Sequence, residues 1–341
     1  MADIILVRSP RIVSETGVVN DDIKCEIYLW NEPSSIPANP TYTLNKPIPS
    51  TIQTTVYFDV SPFCKRYINH LSYTEVVTDT EAFDEDYCYC TVMVYKNDVL
   101  QDTYEYIAFD GYGYFEDGYN PDFNEQFLTE GTYYVETGVN SGGLYYYDDG
   151  GSSWQARWTG LSTGNVYTQN LAYTIGYVPY INVNTAGEGN TLEILKGGIV
   201  QYTYTFEELE ECKYDTYKCD FINKFGVWQR LVFFKASRTN ISMSNKEYNQ
   251  LPTTPNYNVK SNIRTAFNIN AQETITCNTG WVNEGYDEVI KQLLMSEKIL
   301  LNDKPVLIDT KSVELQKNIN NKNINYQMAF KYSNPVLNYN I

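Results

Sequence analysis

Apolar and polar residues alternate with a period of two along much of this chain. In the segment Lys24–Trp30, for example, Cys25, Ile27 and Leu29 fall on one face and the residues between them on the other. The same alternation recurs in three further segments, Thr55–Val60, Tyr87–Tyr95 and Ile324–Lys331. Such alternation is typical of half-buried β-strands, and the many Thr, Tyr, Val and Ile residues favour the same structure. The pattern predicts a mainly β protein.

One segment has the period of a helix instead. Its apolar residues recur at i, i+3, i+4, i+7 and i+8, and they are Tyr286, Val289, Ile290, Leu293 and Leu294. Acidic residues precede this stripe and lysines follow it, which suits the helix dipole. We therefore expect one amphipathic helix at about 284–296. A Ser–Pro pair at Ser61 also predicts a helix of one or two turns over Ser61–Ile68.

The charge of the sequence changes sign part-way along the chain, and this change predicts two domains. Residues 1–212 carry 31 acidic and 9 basic side chains, a net charge of −22, whereas residues 213–341 carry 11 and 16, a net charge of +5. We expect residues 1–206 to form an Ig-like β-sandwich and residues 207–341 to form a second, mostly β domain that carries the amphipathic helix. The segment 111–173 shows little regular alternation and is expected to be a long loop insertion in the first domain.

Residues 101–150 have the most unusual composition, with ten tyrosines, eleven Asp or Glu, eight glycines and no Lys or Arg. Tyrosine offers a large contact area with a polar tip, so this composition favours surfaces that meet other surfaces. The stretches 110–122 and 142–151 therefore predict acidic, aromatic docking loops. Alternatively, they form solvated β-hairpins whose tyrosines cover their own core. The candidate interface residues, with two nearby tryptophans, are Tyr112, Tyr114, Tyr119, Tyr145, Tyr146, Tyr147, Trp154 and Trp158.

The uneven charge limits the kinds of partner. An acidic half and a mildly basic half could attract each other between copies that stack head to tail. The alternative is that the acidic half serves solubility. Strong acidity argues against nucleic acid as the main partner of the N-terminal half, because phosphate contacts need Lys and Arg.

Residue types that carry catalysis or bind metals do not form a recognisable pattern. The one histidine, His70, follows the short predicted helix in a polar stretch and is expected to be exposed. Cys88 and Cys90 lack zinc spacing and are expected to pack in a core. Loop carboxylates such as Asp110, Asp117 and Asp148 could hold a structural calcium ion, but none fits the calcium-loop motif. We expect no enzyme, no metal and no cofactor.

The cysteine count and the hydropathy pattern indicate where the chain folds. Seven cysteines form an odd, irregularly spaced set, and neither an export signal nor an apolar run of membrane length is found. We therefore expect folding in a reducing cytoplasm and no membrane contact.

Several blocks of this sequence together resemble virion proteins of tailed bacteriophages that infect Bacteroidetes, the crAss-like group among them. The blocks are Glu26–Asn31, Pro40–Pro49, Tyr57–Phe63, Ala108–Pro121, Phe221–Phe234, Asn278–Tyr286 and Leu293–Ile299. They span most of the chain and are structural rather than catalytic. The resemblance implies a component of the phage tail, a hub or a ring, and it implies no active site.

A tail role agrees with the residues themselves, because a ring subunit needs β-domains with edge strands and loops that reach its neighbours. The expected partners are other copies in a ring and adjacent tail or portal-proximal virion proteins. DNA could pass through an acidic lumen without specific binding, since like charges repel. The expected location is the virion tail, after folding in the host cytoplasm.

Two other functions remain open. The first is a carbohydrate-binding tail fibre or adhesin, in which tyrosines together with Trp154 and Trp158 would stack on sugar rings. The second is a glycan depolymerase, which would need a catalytic constellation that the sequence does not reveal.

Overall fold

The computed structural model describes most of the chain. The described residues are 3–31, 34–70, 80–81, 86–121, 127–129, 133–136, 143–148, 153–184, 188–209, 213–250, 258, 260, 262–283, 285–314 and 324–337. Within them the chain forms two α-helices, α1 (Ser61–Tyr67) and α2 (Tyr286–Leu294), and a short 3-10 helix at Phe115–Asp117. The remaining regular structure is strand, so the protein is mainly β, as the period-two alternation predicts.

The strands in the first half of the chain are β1 (Asp3–Leu6), β2 (Ile12–Thr16), β3 (Asp22–Trp30), β4 (Tyr42–Pro47), β5 (Thr55–Asp59), β6 (Thr80–Glu81), β7 (Tyr87–Lys96), β8 (Val99–Phe109), β9 (Tyr133–Glu136), β10 (Gly143–Tyr147), β11 (Trp154–Gly160) and β12 (Val166–Asn170). Those that follow are β13 (Ile175–Pro179), β14 (Asn190–Lys196), β15 (Ile199–Leu209), β16 (Tyr217–Ile222), β17 (Trp228–Phe233), β18 (Lys235–Asn249), β19 (Arg264–Val282), β20 (Ile299–Leu301), β21 (Lys304–Ile308) and β22 (Ile324–Tyr332).

The chain divides into two compact units, and neither is continuous in sequence. The first comprises Met1–Glu210, Asp220–Leu231 and Glu288–Glu297, and the second comprises Glu211–Cys219, Val232–Asp287 and Lys298–Ile341. The domain limits drawn from the sequence, at residue 207, stay a prediction. Sequence patterns gave no sign of the two later segments that belong to the first unit.

The first unit begins with a five-stranded sheet of order β1-β8-β7-β3-β4 and a two-stranded sheet of β2 and β5. Both sheets contribute to one core, in which Cys25 and Ile27 of β3 lie beside Val13 of β2 and Phe58 of β5. These apolar residues come from the alternating positions of the sequence, so the alternation places them in the core. The two sheets therefore face each other as layers of a sandwich.

Two more sheets follow in the same unit, of order β12-β11-β14-β15-β9 and β10-β13-β6. They include four strands, β9 to β12, in the segment 111–173, for which the sequence analysis predicted a long loop. In β11 the residues Trp154, Ala156 and Trp158 are buried and alternate with half-buried ones. The alternation in β11 is short, and its buried residues are aromatic or small rather than aliphatic. Because the surrounding sequence is rich in glycine and tyrosine, the pattern did not predict a strand there.

The last sheet has seven strands, in the order β17-β16-β20-β21-β22-β19-β18. Strand β19 is 19 residues long and pairs with β18 along nearly all of its length. Its ladder with β22 begins only at Thr274. The outer part of β18 and β19 therefore extends beyond the sheet as a two-stranded ribbon.

Both predicted helices are confirmed. Helix α2 spans Tyr286–Leu294 within the expected range, and Leu293 of its apolar stripe is fully buried while Leu294 is half-buried. Helix α1 begins at Ser61, where the Ser–Pro pair predicts a helix start. The Asp59 carboxylate accepts the Ser61 N–H at 3.1 Å, so an aspartate two residues earlier satisfies this free donor.

Candidate functional site

Five of the eight aromatic residues expected at an interface lie in the core of the first unit. Tyr145, Tyr146, Tyr147, Trp154 and Trp158 are all less than 9% exposed. The Trp158 ring packs 5.2 Å from Phe206, and the Tyr145 ring lies 3.8 Å from Tyr177. These five rings therefore pack in the core and do not form the docking surface that we expected. Their burial agrees with the alternative hypothesis, in which the tyrosines cover their own core. The ends of the stretch 142–151 lie outside the described residues.

The remaining three rings belong to the segment Asp110–Pro121, here called the aromatic loop. Tyr112 and Tyr114 are half-buried, whereas Tyr119 is 72% exposed. Phe115, which the sequence analysis did not select, is fully exposed. The aromatic loop thus presents Phe115 and Tyr119 to solvent, as a docking loop requires.

Polar contacts hold the aromatic loop in one conformation. The Tyr114 hydroxyl donates to Glu288 Oε1 at 2.6 Å, and the Lys291 ammonium lies 3.8 Å from the centre of the same ring. Asn120 bridges the backbone of Ile12, accepting its N–H at 2.5 Å and donating to its carbonyl at 3.0 Å. A loop anchored at both ends loses little entropy on binding, which favours its use as a contact surface.

The same contacts bear on the calcium alternative. The Asp117 carboxylate accepts the Tyr114 N–H at 2.7 Å, and Asn120 is engaged with Ile12. These oxygens serve the structure of the aromatic loop. Among the described residues, no group of three His, Cys, Asp or Glu side chains is placed to hold a metal ion.

The ribbon beyond the seven-stranded sheet is a second exposed feature, which we call the β-arm. It comprises Ile241–Asn249 of β18 and Arg264–Glu273 of β19, which pair with each other. Nine residues of strand extend about 30 Å. Every residue of β18 is exposed. This strand was not among the predicted ones, although the alternation Asn240-Ile-Ser-Met-Ser244 was a usable signal for it.

Large apolar side chains lie exposed on the β-arm. Ile241 is 58% exposed, Met243 71%, Tyr248 43% and Phe267 45%. Ile241 and Met243 lie opposite Glu273 and Ala271 on one face, and two residues further along β19 the same face carries Ile275, which is buried in the core. The apolar face of the sheet thus continues onto the β-arm. Within the described residues that face is not covered there.

His70 is buried, not exposed as we expected. Its side chain is 5% exposed, and its Nδ1 lies 2.8 Å from Oδ1 of Asp86, which is itself 2% exposed. The Tyr145 hydroxyl also donates to Asp86, and the Tyr177 hydroxyl lies 3.4 Å from it. One internal carboxylate thus organises an imidazole and two phenols. The polar character of the flanking sequence gave no sign of this position, because the burial comes from distant strands.

Asp110 lies on the other side of the same imidazole. Its Oδ2 is 3.7 Å from His70 Nε2, and its Oδ1 is 4.0 Å from the Lys65 ammonium. Burial raises the pKa of Asp110 above its ordinary value of 3.8, although His70, Lys65 and Arg8 oppose that shift. The Asp86 carboxylate and the imidazole have too little exposed surface to meet a substrate. The cluster therefore joins separate segments of the first unit.

Six cysteines of the described residues are buried, and none of these six forms a disulfide bond: Cys25, Cys64, Cys88, Cys90, Cys219 and Cys277. Burial raises the pKa of the Cys25 thiol, and of the Cys277 thiol, to about 12. Thiols that stay protonated at neutral pH are poor nucleophiles, so these two residues pack rather than react.

Comparison with known proteins does not assign this chain to a family. No protein-family model matches the chain, and no curated protein matches it significantly. In the part of the chain that the structure describes, neither helix has the length and apolar character needed to cross a membrane. The function must therefore be argued from the exposed surfaces and from the resemblance in sequence.

Proposed function

We propose that the protein is a structural subunit of a bacteriophage tail, in a hub or ring, and that it assembles with copies of itself. The observation that carries this proposal is the β-arm. A two-stranded ribbon is marginally stable in water unless something packs on it. A long exposed edge strand also invites pairing with another chain. A ribbon with Ile241 and Met243 uncovered is therefore best explained by a partner that covers it.

Charge favours another copy of the same chain as that partner. The segment Lys235–Glu273, which includes the β-arm, carries five basic and two acidic residues, a net charge of +3. Residues 1–212 carry a net charge of −22. The excess positive charge lies at Lys235, Arg238 and Lys260, outside the paired residues of the β-arm. This basic segment of one copy would meet an acidic surface on the next. Such a head-to-tail contact uses two different surfaces, so it generates rings or filaments.

The aromatic loop supplies a second contact surface. Phe115 and Tyr119 are exposed on a backbone that Asn120 and Tyr114 hold in place. Aromatic side chains are enriched at the centres of protein interfaces. This loop and the β-arm would contact neighbouring subunits or adjacent tail and portal-proximal proteins.

The phage-tail setting rests on the resemblance of the sequence blocks to virion proteins. A net charge of −22 over residues 1–212 also supports a surface along which DNA passes without binding. The virion tail is the corresponding location.

The carbohydrate-binding alternative loses the two tryptophans that it named. Trp154 is 3% exposed and Trp158 is 0% exposed, so neither ring can stack on a sugar, whereas Tyr119 stays exposed. The structural role is the one that the β-arm favours.

The β-arm can be tested by a double substitution, Ile241→Ser with Met243→Ser. Full burial of such a side chain contributes about 1.5–3 kcal/mol. Since these residues are 58% and 71% exposed, each has about 1–2 kcal/mol still to gain from a partner. Loss of both should weaken self-association about 30- to 1,000-fold. Sedimentation and electron microscopy of the purified chain would measure it.

The matched control is Asn240→Ser with Ser242→Asn, on the opposite face of the same strand. It should leave both association and incorporation into virus particles unchanged. If the Ile241 and Met243 variant assembles like wild type and enters particles at the normal copy number, the β-arm is not the assembly contact and the proposal fails.

A further inference from the structure

Strand β8 has one edge that is only partly paired. Its partner β7 runs alongside it from Val99 to Phe109, whereas β1 pairs with the other edge only from Tyr106 onward. Among the described strands, none pairs with that edge between Val99 and Glu105. We call this stretch the β8 edge.

Backbone direction shows which residue presents the free hydrogen-bonding groups. The Val7 N–H donates to the Phe109 carbonyl at 2.9 Å, so Phe109 directs its backbone groups toward β1. Backbone direction alternates along a strand. Thr103, an even number of residues earlier, therefore directs its N–H and C=O to the same side, where β1 does not reach.

There is room for a strand at the β8 edge. A groove of about 400 Å³ lies beside it, lined by Asp3, Thr103, Tyr104, Glu105 and Tyr106. The Tyr104 and Tyr106 rings stack with centroids 6.2 Å apart, and Tyr106 packs into the core. A free backbone edge beside a groove is the arrangement by which sheets accept an additional strand.

The charges select the kind of strand that would fit. Asp102 and Glu105 are exposed on the β8 edge, and Asp3 is exposed beside it. Like charges directly opposite each other destabilise a strand pair, so the β8 edges of two copies would repel one another. A basic strand would be attracted.

Strand β18, which begins at Lys235 and continues into the β-arm, has the required properties. It is the last strand of its sheet, so its outer edge is free among the described residues, and it is exposed over all 15 of its residues. It carries Lys235, Arg238 and Lys246 against one acid, Glu247.

We infer that the β8 edge of one copy accepts strand β18 from the β-arm of a second copy. This inference rests on the proposed function and names the surface that receives the β-arm. The contact joins two different surfaces, so it propagates from copy to copy. The chain has neither proline nor lysine between Val99 and Glu105, the residues that commonly protect an edge from such pairing.

The first test removes the outward N–H. Thr103→Pro removes the backbone N–H of residue 103 and leaves the hydrogen bonds between β8 and β7 intact. Thr103→Val keeps that N–H, in a residue that favours strands. Sedimentation of the full chain should show association weakened at least about tenfold for Thr103→Pro and unchanged for Thr103→Val. In the assembled wild type, hydrogen exchange at the Thr103 amide should slow relative to the monomer.

The second test is independent of how proline is tolerated. Asp102→Lys with Glu105→Lys should weaken association, and so should Arg238→Glu with Lys246→Glu. A chain with all four substitutions should recover it, because the attraction is restored with opposite sign. Recovery would not occur if either pair merely damaged the fold.

The outcomes separate this inference from the proposed function. Suppose that the Ile241 and Met243 variant loses association but Thr103→Pro associates like wild type. If the chain with all four charge substitutions also associates as weakly as the two double variants, the β-arm binds elsewhere and the inference is overturned. If the wild-type chain stays monomeric up to about 1 mM, both proposals are overturned.

Discussion

Leu293 and Leu294 are adjacent on helix α2 and offer a matched pair for testing how the amphipathic stripe is buried. Leu293 is 0% exposed, whereas Leu294 is half-buried. Both sit in the last turn of the helix, and alanine is at least as good a helix former as leucine. Any difference between Leu293→Ala and Leu294→Ala therefore reports packing rather than helix propensity.

The expected magnitudes follow from burial. Leu293→Ala removes buried carbon atoms and leaves a cavity, at a cost of about 2–5 kcal/mol. Leu294→Ala exposes only part of that surface and should cost about 1–2 kcal/mol. The total stability of a protein is about 5–15 kcal/mol, so the larger loss is readily measured.

Equilibrium unfolding in urea is the appropriate assay. Four of the five tryptophans, Trp30, Trp154, Trp158 and Trp228, lie in the first compact unit with Leu293, so their fluorescence reports mainly on that unit. The two units can unfold separately, so the fluorescence transition should be fitted by itself.

The reasoning is refuted if Leu293→Ala costs no more than Leu294→Ala. It is also refuted if the Leu293 variant unfolds within about 0.5 kcal/mol of wild type, the range of ordinary surface substitutions. Either result would mean that the stripe doesn't fill a packed core.

Three further substitutions test the interior of the first unit. Burial raises the pKa of Asp110, so its protonated form favours the folded state, and its contribution to stability falls as pH rises through the folded pKa. The free energy of unfolding of Asp110→Asn, measured in urea, should therefore rise relative to that of wild type from pH 4 to pH 7. A difference that stays constant over this range would contradict the argument. Tyr145→Phe removes a hydrogen bond to the buried Asp86 carboxylate and should cost about 1.5–3 kcal/mol by the same assay, with loss under 0.5 kcal/mol as the contrary result. Arg230→Met leaves Asp220, which is 1% exposed, without its partner at 2.7 Å and should cost about 3–5 kcal/mol, so a variant that melts like wild type would disprove the pairing.

The sequence by itself determined which segments form regular structure wherever one face of an element is buried by aliphatic residues. The alternation in β3 and the stripe of α2 each record a less buried and a fully buried side, and the structure has these elements, and β7, where they were expected. In β7 the opposite side is buried as well at Tyr87 and Thr91. This works because the period of burial follows the geometry of the element itself.

Tertiary structure decided which aromatic residues are core and which are surface. Tyr119 and Tyr145 have similar tyrosine-rich, acidic neighbours, yet Tyr119 is 72% exposed and Tyr145 is 0% exposed. The difference arises because strands β10 and β13 pair, which packs the Tyr145 ring against Tyr177. Long-range pairing of this kind leaves no local mark on a sequence, since tyrosine suits both environments.

The same reason accounts for His70 and for the β-arm. His70 is buried by Asp86, Asp110 and Trp228, whose positions depend on separate strands and loops. The exposure of β18 depends on where β22 stops pairing with β19, which is a property of the sheet and not of either strand. Sequence alone determined that this is a mainly β chain with a divided charge. Only the packing of distant strands decided that its uncovered apolar residues lie on a projecting arm.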